Sequence, residues 1–281
     1  MSRMFGYMAN EADRLRCALY PARRALTTEE PTKADSWGIA FYQGGEVLLQ
    51  RRPRVASGRV DFYEVLRDLR TDTAVGHVRV ATIGLPRTEN THPFRFRHWV
   101  FAHQGTLDAF DRIRDALLES VPDFLRRNIR GQTDSELLFH LFLAFLHDAG
   151  KLDDPNLSVA IASQAVRAML AFAERRVADA GGRRSVLNVV LTNGRILLAT
   201  RHGAPLHTMQ IQGLADCGAC RERMPDFGDP KPIPHEHLRS VLVVSDGIGG
   251  DLQGWNEVPE NSLVTVDREL EVAVASLRPE A

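Results

Sequence analysis

The apolar pattern changes twice along the chain, and this limits what it can fold into. Strand-like runs rich in β-branched and aromatic residues come first, helical spacing fills the middle, and strand-like runs return at the end. That order predicts an α+β layered fold, with helices packed on the faces of mainly antiparallel sheets. "SWGIAFYQGGEVLLQRRPR" reads as a hairpin turning at Gly44-Gly45, and "VDFYEVLRDLR" reads as a helix after it. "AVGHVRVATIG" and "HWVFAHQGTL" read as strands. Helices are predicted over 108–127, over 134–148 behind the capping-type "TDSE", and over Ser158–Ala180. "SVLNVVLTNGRILLAT" predicts a second hairpin around Asn193-Gly194, and strands follow in the last forty or so residues. No internal repeat or compositional break divides the 281 residues, so a single domain over 1–281 is expected, with an insertion loop at about 201–240.

Charge excludes several function classes. Lys plus Arg number 35 against 36 Asp plus Glu, so no basic excess recommends nucleic acid or an anionic membrane as a partner. The arginines within 51–54 and 183–184 read most simply as solvated surface. No apolar segment is long enough to span a bilayer and no secretory pattern opens the chain, so a cytoplasmic protein is expected. Of three cysteines, Cys17 reads as a small buried hydrophobe. Cys217 and Cys220 form a C-x-x-C, and with His235 and His237 of "PHEH" they offer a zinc-like donor set that would pin the loop. Unliganded loop residues and a redox dithiol stay open beside it.

The start, "MSRMFGYMAN", is apolar almost from its first residue. Chain ends usually fray, so an apolar start predicts a core strand. If Met1 is removed, Ser2 presents a hydroxyl beside a free α-amine, a pairing in which the amine serves as general base for the nucleophile. Three further pieces suit such chemistry. Arg79, near a strand end, matches a carboxylate with its guanidinium fork. Gln104-Gly105 offers an amide beside an unhindered N–H, the two donors of an oxyanion hole. Asp134 at a helix start can accept from an ammonium group, or can simply cap the helix. His77, His92 and His103 read as satisfied strand or loop histidines.

Taken in order, "MSRMFGY", "DSWGIAFY", "HVRVAT", "NTHPF", "AHQGTL", "TDSELLF" and the late "WNEVPENSL" resemble the class II glutamine amidotransferases, most nearly the stand-alone kind. The resemblance covers about residues 1–140 and 241–276. It implies a four-layer αββα N-terminal nucleophile hydrolase sandwich whose terminal residue attacks the side-chain amide of glutamine or a γ-glutamyl compound. By position, Arg79 would hold the substrate carboxylate, Asp134 its ammonium and Gly105 an oxyanion, with Thr82 and His92 lining the pocket. It implies no organic cofactor, and released ammonia would pass to an acceptor enzyme subunit or leave free.

Two positions depart from the family pattern. Ser2 stands where the family has its nucleophilic cysteine, and a hydroxyl ionises far less readily than a thiol of pKa about 8.5. Gln104 stands where the family has asparagine, and one more methylene moves the donor by about an ångström from a position that tolerates little error. An active serine amidohydrolase, a ligand-binding or regulatory descendant, and an engineered cysteine-to-serine form are all compatible with these residues.

Overall fold

A computed structural model of the chain describes residues 2–27, 35–53, 60–80, 82–222, 232–245 and 253–278. Its strands are β1 (Arg3–Ala9), β2 (Ser36–Gln43), β3 (Glu46–Arg52), β4 (Thr73–Arg79), β5 (Phe94–Phe96), β6 (Trp99–Thr106), β7 (Val186–Thr192), β8 (Leu197–Arg201), β9 (Leu206–Leu214), β10 (His235–Ser245), β11 (Trp255–Glu257), β12 (Ser262–Val266) and β13 (Val272–Ser276). Its helices are α1 (Leu15–Leu19), α2 (Phe62–Val65), α3 (Phe110–Glu119), α4 (Asp123–Arg126), α5 (Asp134–Asp148), α6 (Val159–Asp179) and α7 (Gly218–Arg221).

Two antiparallel sheets stack face to face. One runs β11-β9-β10-β1-β4-β2-β3 and the other β13-β12-β8-β7-β6-β5. Alternation along each strand divides the apolar side chains between an inner and an outer face. Met4, Met8, Val75, Val241 and Val243 of the first sheet meet Val100, Ala102, Val190, Leu197 and Val264 of the second in a shared inner core. On the outer face of the second sheet, Trp99, Phe101, Val189 and Leu191 pack under α3, α5 and α6. On the outer face of the first, Phe5, Tyr7, Leu242 and Val244 pack under residues of α1, α2 and α7. The result is the expected four-layer αββα sandwich, with long helices on one side and short ones on the other.

Local chemistry accounts for most of the boundaries. Gly44 and Gly45 have φ of 60° and 82°, the left-handed pair that a two-residue hairpin turn requires. The hairpin at Asn193-Gly194 uses a longer turn, because the Asn193 side chain accepts from the amides of both Arg195 and Ile196. The helix predicted over 108–127 is two pieces, α3 and α4, parted at Pro122, which has no N–H to continue the ladder. The helix predicted after the first hairpin is only the short α2, capped by Asp61 accepting from Glu64 N at 3.1 Å.

Residues 201–240 are not one open loop. They contain β9 and α7 and the beginning of β10 among the described residues. β9 turns Leu206 into the inter-sheet core and Met209 and Ile211 toward the short helices, a pattern masked in sequence by its His and Gln residues. No described helix is long and apolar enough to cross a membrane.

Gly6 lies where the two sheets pack tightly together. A Cβ there would lie 2.7 Å from Val190 Cγ1 and 2.9 Å from Leu197 Cδ1. Gly6→Ala is expected to lower stability by about 1–3 kcal/mol through overpacking, read as a lower urea midpoint at unchanged m.

Candidate active site

β1 lies between β4 and β10, so the first residues of the chain are tied by ladders on both sides. This carries half-buried Ser2 to the edge of the inter-sheet space. Ser2 Oγ accepts from Val80 N at 2.9 Å and donates to the Val80 carbonyl at 3.3 Å. Ser2, Arg79, Thr82, His92, Gly105 and Asp134 all line one cavity of about 20 Å³, together with His77 and His103. That volume holds about one water molecule. The residues singled out from the sequence therefore converge, with one exception.

The exception is Gln104. It is buried on β6, but its Nε2 donates to the Ser2 carbonyl at 2.7 Å, so the amide ties the second sheet to the start of the first. Gly105 follows with φ of 141°, and any Cβ there would run into the Val186 carbonyl oxygen of the neighbouring strand. Only glycine fits that approach of β6 to β7.

Arg79, at the end of β4, is buried, and its Nη2 donates to the Ile83 carbonyl and, at 3.0 Å, to the Gly84 carbonyl. Nη1 has no partner among the described residues. Burial lowers the guanidinium's pKa while Asp35 and Asp134 act in the opposite direction. Asp134 is buried as well. Oδ2 accepts from Leu107 N at 2.8 Å, and Oδ1 accepts from Ser135 N at 2.8 Å and Ser135 Oγ at 3.2 Å. A carboxylate has about four acceptor positions, so one stays open. The helix cap is Thr133, whose hydroxyl accepts from Glu136 N, while the Glu136 carboxylate reaches back to Arg130 N and Gly131 N. Capping and a free acceptor thus fall to different residues of "TDSE". Thr82 is exposed at the rim, with its Oγ1 2.9 Å from Thr106 Oγ1.

The histidines differ from one another. His103 is satisfied by Ser135 Oγ at 2.9 Å and the Val186 carbonyl at 3.2 Å. His77 and His92 stack with ring centroids 4.1 Å apart, and none of their nitrogens has a hydrogen-bond partner among the described residues. Burial and the neighbouring histidines and arginines hold both rings neutral, and His77 is pushed down to about 3.

Arg51 is a residue the sequence reading missed. Rather than lying on a solvated surface, its guanidinium donates to the Pro93 and Thr88 carbonyls and lies 5.7 Å from the Phe94 ring centre, fixing the segment that carries His92. The available signal was period two on β3, where Val47, Leu49 and Arg51 share the less exposed face.

The expected metal set comes together with one exchange. Cys217, Cys220 and His235 converge with Cys17, all four donor atoms lying within 4.8 Å of one another. Alternation from Leu242 through Ser240 and Leu238 would turn His235 away, but a register shift between His235 and Arg239 re-aims it. His237 is exposed and lies outside this set, while its carbonyl accepts from Asn10 Nδ2. Cys17 is buried as expected, but it serves this cluster rather than acting only as a small hydrophobe.

The stacked sheets, the interior first strand and the cavity at its start define the N-terminal nucleophile hydrolase architecture. Residues 1–212 match the model of the class-II glutamine amidotransferases, and the chain belongs to that family. A Saccharomyces cerevisiae protein named "Probable glutamine amidotransferase DUG3" is 24% identical over 270 residues, 89% of this chain and 74% of its own length. The γ-glutamyl-hercynylcysteine sulfoxide hydrolase of Mycobacterium tuberculosis is 27% identical over 234 residues, 83% of this chain and 75% of its own length. Among solved structures, a glutamine aminotransferase class-II domain protein from Silicibacter pomeroyi aligns over 99% of this chain and 100% of its own, at 20% identity and a TM-score of 0.59. Glutamine phosphoribosylpyrophosphate amidotransferase of B. subtilis aligns over 99% of this chain and 50% of its own, at 16% identity and a TM-score of 0.56.

The neutral His77 gives a pH signature. Unfolded, it takes up a proton near its ordinary 6.5; folded, it refuses one until about 3. Its share of stability is complete above the unfolded value and is lost as pH falls through that window. His77→Gln is expected to flatten the loss between pH 6.5 and 4 by up to one proton, about 1.4 kcal/mol per pH unit, in urea unfolding series.

Proposed function

We propose that the chain is an amidohydrolase of γ-glutamyl amides, acting through Ser2 once Met1 is cleaved. The observation that carries this reading is the shared cavity: a terminal hydroxyl, a guanidinium with an unpaired Nη1, a carboxylate with one open acceptor position and a glycine N–H lie together. The names of its relatives support γ-glutamyl substrates, glutamine itself or a larger compound.

In this reading Arg79 Nη1 pairs with the substrate α-carboxylate and Asp134 Oδ2 accepts from its α-ammonium. Ser2 Oγ attacks the amide carbon, and its proton passes to the Ser2 α-amine and then to the leaving nitrogen. A γ-glutamyl ester and ammonia, or an amine, result. Water then hydrolyses the ester to a free carboxylate and restores the hydroxyl. The Gly105 N–H donates to the oxyanion, while Gln104 positions Ser2 through its carbonyl instead of supplying the second donor. At its present size the cavity takes no glutamyl group, so the side chains of Thr82 and Ile83 must shift on binding. Ammonia leaves free in the hydrolase reading, with transfer to an acceptor subunit as its alternative fate. Zinc has no step here, since the cysteine cluster shares no residue with the cavity.

A second reading has one observation in its favour. Ser2 Oγ is held by both backbone groups of Val80, and Gln104 is turned onto the Ser2 carbonyl, an arrangement that suits a ligand-binding or regulatory descendant.

Intact mass of untagged protein, with and without a diazo-ketone analogue of glutamine, separates the two. Loss of Met1 and an adduct absent from Ser2→Ala are expected, and Ser2→Cys is expected to raise amide hydrolysis by at least about tenfold. Unmodified Ser2 alongside glutamine-induced thermal stabilisation would favour the binding module. In the Ser2→Ala background, Arg79→Ala is expected to weaken γ-glutamyl ligand binding by about tenfold or more by calorimetry, the loss of a charge-assisted hydrogen bond.

A further inference from the structure

We propose that Cys17, Cys217, Cys220 and His235 hold one structural zinc ion that fastens α7 and the start of β10 to helix α1. The four donors come from three separate stretches of chain, yet converge within 4.8 Å. Cys17 Sγ lies 3.6 Å from Cys220 Sγ, and Cys220 Sγ lies 3.3 Å from His235 Nε2. Tetrahedral zinc with Zn–S of about 2.3 Å and Zn–N of about 2.0 Å puts its ligands roughly 3.5–3.8 Å apart. Closure onto the ion therefore asks the widest pair to contract by about an ångström, within the reach of side-chain rotation. Three thiolates and an imidazole are a soft donor set that selects zinc over magnesium or calcium.

The backbone around the cluster is arranged for it. Cys217 immediately precedes α7, and Cys220 lies within that single turn, so the C-x-x-C spacing turns both sulfurs to one side. Cys217 N donates to the Ile233 carbonyl at 3.0 Å, bringing the two arms of the segment together. Gly218 lets the ring of Tyr20 lie against the turn, where any Cβ would collide with it. The irregularity in β10 serves His235, not His237. A disulfide would explain none of this, since all three cysteines are free and a disulfide leaves a third thiol and the histidine without a role.

The cluster also answers a mechanical need. The helices on this face have five, four and four residues, too short to be stable alone. On the other face, α5 and α6 have 15 and 21 residues and pack on their own. The family match covers residues 1–212, so Cys217, Cys220 and His235 lie beyond it.

The test is metal analysis of the full-length, reduced protein after reconstitution with zinc and gel filtration. About one zinc per chain is expected, and replacement by Co²⁺ is expected to give the thiolate-to-cobalt charge-transfer and d–d bands of a tetrahedral site. Cys17→Ser and His235→Ala should each fall to about 0.2 equivalents or less, whereas His237→Ala and Ser2→Ala keep their zinc. If the ligand variants fail to fold, the content and cobalt spectrum of the unaltered protein still decide. Less than about 0.2 zinc per chain after reconstitution, an octahedral cobalt spectrum, or zinc kept by Cys17→Ser and lost from His237→Ala would overturn the proposal.

Discussion

The placement of β1 in the middle of a sheet is the constraint on which the rest of this structure depends. β1 has neighbours on both edges, so its backbone polar groups are satisfied and its start cannot fray. Odd residues face the short helices and even residues face the second sheet. That parity puts Ser2 at the mouth of the inter-sheet space and gives Gly6 its tight fit. Arg79 follows from the same register: β4 pairs with β1 so that Val78 opposes Arg3, and the next residue reaches the cavity.

The second sheet completes the site from the other side. The Gln104 amide bonds to the Ser2 carbonyl across the gap, and Gly105 lets β6 close on β7. A residue expected to act on the reacting atoms is found bonded to the main chain of Ser2. The Gln104 side chain reaches across to the Ser2 carbonyl, and that bond draws its donor away from the cavity.

Much of the fold was legible in the sequence because most elements carry their own punctuation. The Gly44-Gly45 hairpin, α5 behind Thr133 and α6 behind Ser158 follow from local signals. β9 was not legible, because its outward residues are His and Gln and its partner, β10, lies about thirty residues away. Nor was the break at Pro122 within what reads as one helix. That Ser2, Arg79, Gly105 and Asp134 belong around one cavity was legible from their order and from the family resemblance. Arg51 and the His77–His92 stack were not, because their roles depend on strands and loops that meet only after folding. The exchange of His237 for Cys17 has the same cause: a bulge and a distant helix leave no mark on local spacing.

The pairing of β1 with β10 carries a consequence for how the protein comes into being. Met4 N bonds to Ser245 Oγ across 241 positions, so one edge of the first strand has no partner until β10 is in place. Contacts that distant are slow to form. β1 therefore gains its second edge late in folding, whereas its pairing with β4, about seventy positions away, can form earlier.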